Sequence, residues 1–308
     1  MKVHALPTCP TCHGAEFRTF DLGEGNFLRR CVACDTVSAS EYADPSEIYV
    51  DGYMLGGVGD FGLDVRDPVF QQYLARVADR RMGFIEKATD VRGGTLLDVG
   101  SGTGEVLVAA RDRGWTVQGC EPESTGAEFA RERGLPVEIA LLEESGLPEG
   151  HYDVVSAFHV LEHVPDSVAF LQTLRRWARP GGFVTIEVPN FNSVLRRRLG
   201  QDWPHLRKLE HIVHHTPTTL QRAFREAGLE PVLVRSPAYV GPPQTLDLAL
   251  TDLVRHGRKF RALIEPLSRE QQGERYPTRA GWAVLQAMDA VYDRAGVGAV
   301  VFCVGRVP

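Results

Sequence analysis

The order of apolar and polar positions divides the chain into stretches of different character. Between about residues 67 and 240, short apolar runs alternate with amphipathic segments. The predicted strands are 95–99, 116–120, 136–140, 153–158, 183–188 and 231–235, and the predicted helices are 67–87, 105–113, 124–133, 167–178 and 218–227. Because strands that alternate with helices form parallel sheets covered by those helices, this stretch is predicted to be an α/β domain.

The segments on either side lack this alternation. Residues 1–40 hold four of the six cysteines and are predicted to be a separate module, followed by a glycine-rich connector or flap over 41–66. Residues 243–294 are predicted to be a helical insertion that lies over the active-site face. The apolar run 299–304 then suits a buried final strand, so that 67–308 form one domain with an insertion.

Composition and charge narrow the class of protein. The 308 residues are 43% hydrophobic and 24% charged, which excludes a wholly disordered or collagen-like chain. The formal net charge of −6 argues against a broad nucleic-acid surface. No apolar run approaches the roughly 20 residues of a membrane helix, and no signal-peptide core precedes Cys9. We therefore expect a cytoplasmic protein without a membrane partner.

Two cysteine pairs near the N-terminus have the spacing of a zinc site. Cys9 and Cys12 form one C-x2-C pair, and Cys31 and Cys34 form a second one eighteen residues later. Two such turns supply the four thiolates of a tetrahedral Zn²⁺ site, and cytoplasmic thiols stay reduced. Four cysteine ligands leave no position for water, so we predict a structural zinc ribbon. The alternative, four unligated thiols, is disfavoured because so short a module needs a staple to fold.

A glycine-rich turn joins the first strand of the α/β stretch to the next helix. Asp98 lies in the strand, and Gly100, Gly102 and Gly104 follow at alternate positions. Such glycines allow a tight turn and the close approach of a ligand, and the helix N-terminus beyond presents N–H groups. Glu121 ends the next strand, at the position where an acid binds both hydroxyls of a ribose. The arrangement predicts a nucleoside-containing cofactor.

Further motifs accompany this turn downstream. They are YDVVSAFHVLEHVPD at 152–166, Arg-Pro-Gly-Gly at 179–182 and Val-Pro-Asn at 188–190. Together they resemble the class I S-adenosylmethionine (SAM)-dependent methyltransferases, over about residues 67–240 plus the final strand. The resemblance implies a Rossmann-like, mostly parallel seven-stranded sheet with helices on both faces and an antiparallel last strand. A nicotinamide-binding domain is the competing interpretation, and the glycine at 104 argues against it.

The resemblance also implies which residues contact SAM and its product, S-adenosylhomocysteine (SAH). For the methionine part they are Gly100, Ser101, Gly102 and Gly104 with Asp98 and Phe158. Glu121 would bind the ribose, and Leu141 and Leu142 would contact the adenine.

The sequence marks the residues that take part in methyl transfer less clearly than those that bind the cofactor. Methyl transfer is an in-line displacement and needs a general base only if the acceptor must lose a proton. His159, just past the strand 153–158, and His211, on the loop after 183–188, are the first choices because ligands bind at the carboxyl ends of parallel strands. Glu210-His211 also resembles one methyltransferase subgroup. His163 is interpreted as a turn residue. For His214 and His215, a role in the site and a position in a solvated loop are equally expected. Tentative substrate contacts are Tyr53, Trp203, Arg207 and Tyr239.

The sequence thus predicts a SAM-dependent methyltransferase that acts on a small metabolite such as a sugar, a nucleotide-linked sugar or a natural-product intermediate. The zinc-binding N-terminus is similar to that of sugar C-methyltransferases, although their additional C-terminal domain has no counterpart here. One alternative is a ribosomal-RNA base methyltransferase, against which the net negative charge of residues 1–50 argues. Another is a SAM-binding regulatory module without catalysis. A homodimer and the acceptor atom stay open.

Overall fold

The computed structural model describes residues 2–20, 22, 28–44, 68–238, 268–271, 274–277, 287 and 289–308. The predicted substrate contacts Tyr53 and Tyr239 lie outside these residues, as does most of the predicted connector.

The N-terminal module consists of short antiparallel strands around the cysteines. They are β1 (Val3–Ala5), β2 (Phe17–Thr19), β3 (Leu28–Cys31), β4 (Val37–Ala39) and β5 (Glu41–Ala43). Strand β1 pairs with β5, and β3 pairs with both β2 and β4. The β5 strand lies in the stretch predicted to be a connector, so regular structure extends further along the chain than the cysteine motif indicates.

Ten further strands follow among the residues that the structure describes. They are β6 (Thr95–Val99), β7 (Thr116–Cys120), β8 (Val137–Glu138), β9 (Tyr152–Phe158), β10 (Ala178–Pro189), β11 (Val213–His214), β12 (Glu230–Arg235), β13 (Ser268–Gln271), β14 (Glu274–Pro277) and β15 (Val300–Arg306). Seven of them form one sheet in the order β12-β15-β10-β9-β6-β7-β8. The pairs from β10 to β8 are parallel, whereas β15 is antiparallel to both β10 and β12. The predicted Rossmann-like sheet with an antiparallel last strand is confirmed.

Helices cover both faces of this sheet. They are α1 (Pro68–Thr89), α2 (Glu105–Arg111), α3 (Ser124–Glu132), α4 (Ser167–Trp177) and α6 (Pro217–Glu226), whereas α5 (Val194–Leu199) packs with residues of the N-terminal module. Buried residues of α4 and α6 pack with one set of strand residues, and those of α1, α2 and α3 pack with another. Because β6, β9, β10 and β15 are covered on both sides, their sequences are near-continuous apolar runs.

The local sequence explains where α4 and α6, the two helices on one face of the sheet, begin. The Asp166 carboxylate accepts hydrogen bonds from the backbone N–H groups of Val168 and Ala169, at 3.0 and 2.9 Å, and so caps α4. Thr216 caps α6, whose first residue is Pro217. An acceptor side chain before the helix satisfies N–H groups that have no partner within it, and proline is favoured in the first turn.

The predicted helical insertion at 243–294 needs a correction. Strands β13 and β14 form an antiparallel pair within it, with Ser268 opposite Pro277 and Gln271 opposite Glu274. Only Gln272-Gly273 connects them, and a two-residue connection with glycine second favours a hairpin over a helix. Residues 289–295 are helical, as expected.

The N-terminal module is joined to the α/β domain by main-chain pairing. Strand β11, from the α/β domain, pairs with β4 and becomes the fourth strand of the module's larger sheet. The Ser167 N–H donates to the Pro10 carbonyl at 3.0 Å, and the His13 ring lies 2.9 Å from the Asp166 carboxylate. Two structural units therefore share one sheet.

Within the described part of the chain, no helix combines the length and the apolarity that crossing a bilayer would require.

Candidate functional site

The glycine-rich turn lies at the carboxyl end of β6. Gly100, Gly102 and Gly104 have φ angles of 69°, 51° and 84°, in the left-handed region that favours glycine. A Cβ at Gly100 would lie 2.5 Å from Val160 Cγ2, and one at Gly104 would lie 2.4 Å from Leu135 Cδ1. A side chain at Gly100 or Gly104 would therefore both strain the backbone and collide with a neighbour.

Glu121 is fixed against this turn by two backbone donors. Its Oε2 accepts a hydrogen bond from the Gly102 N–H at 2.8 Å, and its Oε1 accepts one from the Glu123 N–H at 2.9 Å. Burial raises the pKa of Glu121, while the two backbone hydrogen bonds act in the opposite direction. Each carboxylate oxygen has a second acceptor position, so the group can still receive the two hydroxyls of a ribose.

Asp98 occupies the strand below the turn. It is almost fully buried, and its Oδ1 accepts a hydrogen bond from the Ser156 hydroxyl at 2.7 Å. Burial raises the pKa of Asp98 to about 7, against the opposing effect of the Ser156 hydrogen bond. An ammonium group placed beside Asp98 would favour its charged form.

These residues fit a SAM-like cofactor. The buried Ser101 hydroxyl in the turn has no hydrogen-bond partner among the described residues, which leaves a donor for a ligand. Leu141 is 54% exposed beside the short 3-10 helix Leu142–Glu144, as a contact for a flat ring requires. Leu142 and Phe158 instead belong to the hydrophobic core, so only their backbone atoms or edges are placed to meet a ligand.

His159 is held by two buried carboxylates. Its Nδ1 lies 3.1 Å from Glu162 Oε1, and its Nε2 lies 3.4 Å from Glu187 Oε1. Burial acts to lower the pKa of His159, but the hydrogen bonds and charges of Glu162 and Glu187 outweigh it and raise that pKa to about 9. A protonated imidazole donates hydrogen bonds but accepts no proton, so this environment disfavours His159 as a general base.

Glu187 links this histidine to the first helix. The Arg81 Nε donates to Glu187 Oε1 at 3.0 Å, and its Nη2 contacts the same oxygen. Burial would raise the pKa of Glu187, but the charge of Arg81 and the hydrogen bond from His159 lower it to about 2. Arg81, Glu187, His159 and Glu162 thus form a network of alternating charge in which the two carboxylates are buried.

His211 belongs to a cluster of histidines next to this network. It is 3% exposed, and its Nδ1 lies 2.9 Å from the His205 carbonyl oxygen. Burial lowers the pKa of His211 well below its usual value, so its ring is neutral at physiological pH. The His163 ring packs edge-on against the His211 ring with centroids 4.7 Å apart. The His205 ring stacks on both the His159 and the His211 rings, with centroids 6.4 and 5.8 Å apart, so these histidines lie in one cluster. A catalytic role for His159 and His211 stays a prediction.

For His214 and His215 the sequence left a site role and a solvated loop equally open, and the structure excludes the solvated loop. His214 lies in β11 and is buried, and His215 is fully buried between the Ser167 and Thr219 hydroxyls, at 3.2 and 3.3 Å. The pairing of β11 with the N-terminal module removes this segment from solvent, which the local sequence does not indicate.

The tentative substrate residues that the structure describes have other contacts. Trp203 is 2% exposed and packs with Phe191, Leu28 and Val37 between the two units, which corrects the prediction that it lines a substrate mouth. Its large apolar ring fills the junction that β11 creates. The Arg207 Nε lies 3.1 Å from Glu210 Oε2, so its charge is balanced within its own loop.

Sequence reasoning missed four members of the site, namely Arg81, Glu162, Glu187 and His205. One signal was available, because Glu187 is the one charged residue in the apolar run Phe183–Val188. A lone acid in a buried strand requires a partner. That partner lies on a helix 106 positions earlier, beyond the reach of any local pattern.

The four N-terminal cysteines also converge. Cys9 Sγ lies 3.4 Å from Cys34 Sγ, and Cys12 Sγ lies 3.5 Å from Cys31 Sγ. All four sulfur atoms lie within 4.8 Å of one another. Zn–S bonds of about 2.3 Å in a tetrahedron separate sulfurs by roughly 3.8 Å, so the donor set and its spacing fit a zinc ion.

Comparisons with known proteins agree with this geometry. A family described as "Methyltransferase domain" matches residues 70–234, more than half of the chain. The chain is 31% identical over 195 residues to a ubiquinone biosynthesis O-methyltransferase of Bordetella bronchiseptica, covering 57% of this chain and 79% of that one. It is 30% identical over 198 residues to the protein of the same name from Methylococcus capsulatus, covering 58% and 83%.

The chain is also similar to solved structures. One is a SAM-dependent methyltransferase from Mesorhizobium loti, with 17% identity, a TM-score of 0.47, and coverage of 73% of this chain and 97% of that one. The family match spans the strands β6 to β12, including the glycine-rich turn, Asp98 and Glu121. The chain therefore belongs to the methyltransferase-domain family and is a SAM-dependent methyltransferase.

Proposed function

We propose that this enzyme transfers the methyl group of SAM to an oxygen, nitrogen or carbon atom of a small metabolite. The observation that carries the cofactor part is the Glu121 carboxylate, which the Gly102 N–H fixes at the carboxyl end of β7. A buried, oriented carboxylate beside a glycine-rich turn is suited to a ribose with both hydroxyls. Asp98 is the proposed partner of the ammonium group, and the Gly100–Gly104 backbone would accommodate the methionine chain.

The acceptor is proposed to be a small molecule on two grounds. The relatives at about 30% identity are named for ubiquinone biosynthesis, in which the methylated compound is a small molecule. The N-terminal module lacks the excess of basic residues that binding to an RNA backbone requires. His159 and His211 are proposed to lie on the acceptor side, where His159, whose two ring nitrogens face Glu162 and Glu187, would hold these carboxylates in place.

The cysteine module is proposed to hold a structural Zn²⁺. Its four thiolates would complete the coordination, so this ion would supply fold stability and no open position for substrate. Through β11, the module would hold the loop that carries His205 and His211.

Replacement of Glu121 by Ala is expected to weaken SAH binding by about 10- to 100-fold, because charge-assisted hydrogen bonds to the ribose are lost. Isothermal titration calorimetry measures the affinity, and thermal unfolding checks that the variant is folded. Glu128→Ala, an exposed acid on α3, is the matched control and should bind as the wild type does. Equal affinities for the Glu121 variant and the wild type would remove Glu121 from the cofactor site.

The acceptor class is tested with methyl-labelled SAM. We expect purified enzyme, incubated with a cell extract fractionated by size, to label the small-molecule fraction. Label in large material that RNase destroys would instead support the RNA methyltransferase. SAH binding without any transfer to either fraction would favour a regulatory module.

A further inference from the structure

A second group of potential metal ligands, which includes none of the four cysteines, lies in the α/β domain. Glu162 and His163 belong to the short 3-10 helix Leu161–His163 after β9, and His211 comes from the loop before β11. Each offers one ligand atom, and the three atoms all lie within 4.8 Å of one another. Glu162 is 2% exposed, so this is not an acidic patch on the surface.

The Glu162 carboxylate has one oxygen without a donor. Its Oε1 lies 3.1 Å from His159 Nδ1, whereas its buried Oε2 has no hydrogen-bond partner among the described residues. A buried carboxylate oxygen that lacks a partner costs free energy. A cation bound between Glu162 and the two histidines would supply the missing interaction.

Both histidines have one ring nitrogen in contact with a backbone carbonyl oxygen. His163 Nδ1 lies 3.2 Å from the Glu210 carbonyl oxygen, and His211 Nδ1 lies 2.9 Å from the His205 carbonyl oxygen. A carbonyl only accepts hydrogen bonds, so each Nδ1 carries the proton and each Nε2 carries the lone pair. Histidines that bind metals are usually held by such a bond from the other ring nitrogen.

We propose that Glu162, His163 and His211 bind a divalent ion of the borderline class, with Zn²⁺ as its representative. Two imidazole nitrogens and one carboxylate suit Zn²⁺, Fe²⁺, Co²⁺ or Mn²⁺, whereas Mg²⁺ and Ca²⁺ prefer oxygen ligands throughout. Three protein ligands leave at least one coordination position open, as in catalytic zinc sites. The site therefore differs in chemistry from the closed four-cysteine centre.

The ion would lie next to the cofactor turn. Val160, two residues before Glu162, approaches the glycine-rich turn so closely that a Cβ at Gly100 would lie 2.5 Å from its Cγ2. The next step rests on the proposed function. The open coordination position of the ion would take a hydroxyl oxygen of the methyl acceptor, and the ion would lower the pKa of that hydroxyl. The hydroxyl proton passes to water, and an oxygen lone pair forms the bond to the methyl carbon. The C–S bonding pair stays on sulfur, which gives a methyl ether and SAH.

Metal analysis of the full-length protein tests the site. Wild-type protein that is saturated with Zn²⁺ and then dialysed is expected to hold two ions per chain. The His211→Ala and Glu162→Gln variants are each expected to hold one. With Co²⁺ in place of Zn²⁺, both variants should keep the thiolate-to-cobalt absorption of the cysteine centre. His151→Ala, an exposed histidine outside the cluster, is the matched control and should hold two ions.

The results separate this proposal from the proposed function. The proposal of a second metal site would be contradicted if the wild-type chain held only one ion, bound by the cysteines. It would also be contradicted if both Glu162→Gln and His211→Ala held two ions. The Glu162→Gln variant keeps the size of the side chain, so it gives the same measurement if His211→Ala fails to fold. SAH binding is measured on the same samples. Its absence would contradict the SAM-dependent function without changing the ion count.

Discussion

Replacement of Glu187 by Gln is expected to lower the free energy of unfolding by about 3–5 kcal/mol at pH 7, because it leaves the Arg81 guanidinium without its buried counter-charge. Glu187 is fully buried, and Arg81 is nearly so. Solvent therefore does not compensate for the lost pair. Chemical denaturation of the wild type and the variant measures the difference.

The pH dependence of this difference has a definite sign. The pKa of Glu187 is lowered to about 2 in the folded protein, from a usual value of 4.5. An acid with a depressed pKa stabilises the fold above its unfolded pKa, and that contribution is lost as the pH falls towards the folded value. The gap between the wild type and Glu187→Gln should therefore be complete above about pH 5 and shrink as the pH falls from 4.5 to 2.

An exposed ion pair provides the control. Glu149 and Arg176 form a pair in which both side chains are more than half exposed. Such pairs contribute little, so Glu149→Gln should change the unfolding free energy by less than about 1 kcal/mol. If Glu187→Gln were equally mild, the Arg81–Glu187 contact would not be a structural element of the fold.

Replacement of Cys34 by Ser is expected to remove one zinc ion per chain and to release the N-terminal module. Binding to four thiolates contributes about 10–16 kcal/mol in small zinc modules, which do not fold without the metal. The small cluster of Cys9, Cys31 and Cys34 with Phe17 offers little apolar area to replace it. Limited proteolysis should then cut within residues 28–44 faster than it does in the wild type.

The same variant should bind SAH within about twofold of the wild type, because the glycine-rich turn and Glu121 make their hydrogen bonds within the α/β domain. Cys303→Ala is the control, since Cys303 lies in the core of β15, away from the module. It should keep its zinc and its resistance to proteolysis. Unchanged zinc content in Cys34→Ser would show that the four cysteines are not a metal centre.

Local sequence was sufficient for the elements with strong local signals. Strands β6 and β7 begin and end at the predicted residues, because each ends at a turn of defined chemistry. The cofactor turn was recognisable for the same reason. Its glycines and Glu121 are close in sequence and have fixed geometric roles.

Features that depend on distant pairing were not predictable in this way. The burial of His214 and Trp203 follows from the pairing of β11 with β4, two segments far apart in the chain. The Arg81–Glu187 contact likewise joins α1 to β10. The hairpin of β13 and β14 was missed because helix-forming residues dominated its surroundings, although Gln272-Gly273 was a local hairpin signal.

The shared sheet also has a consequence for the order of events during synthesis. Residues 2–44 leave the ribosome long before Val213, so the edge of β4 that receives β11 stays unpaired while most of the α/β domain is made. An open strand edge is a template for pairing with other chains. Truncation before β11 would make this exposure permanent, and the N-terminal module is therefore complete only when translation has passed His214.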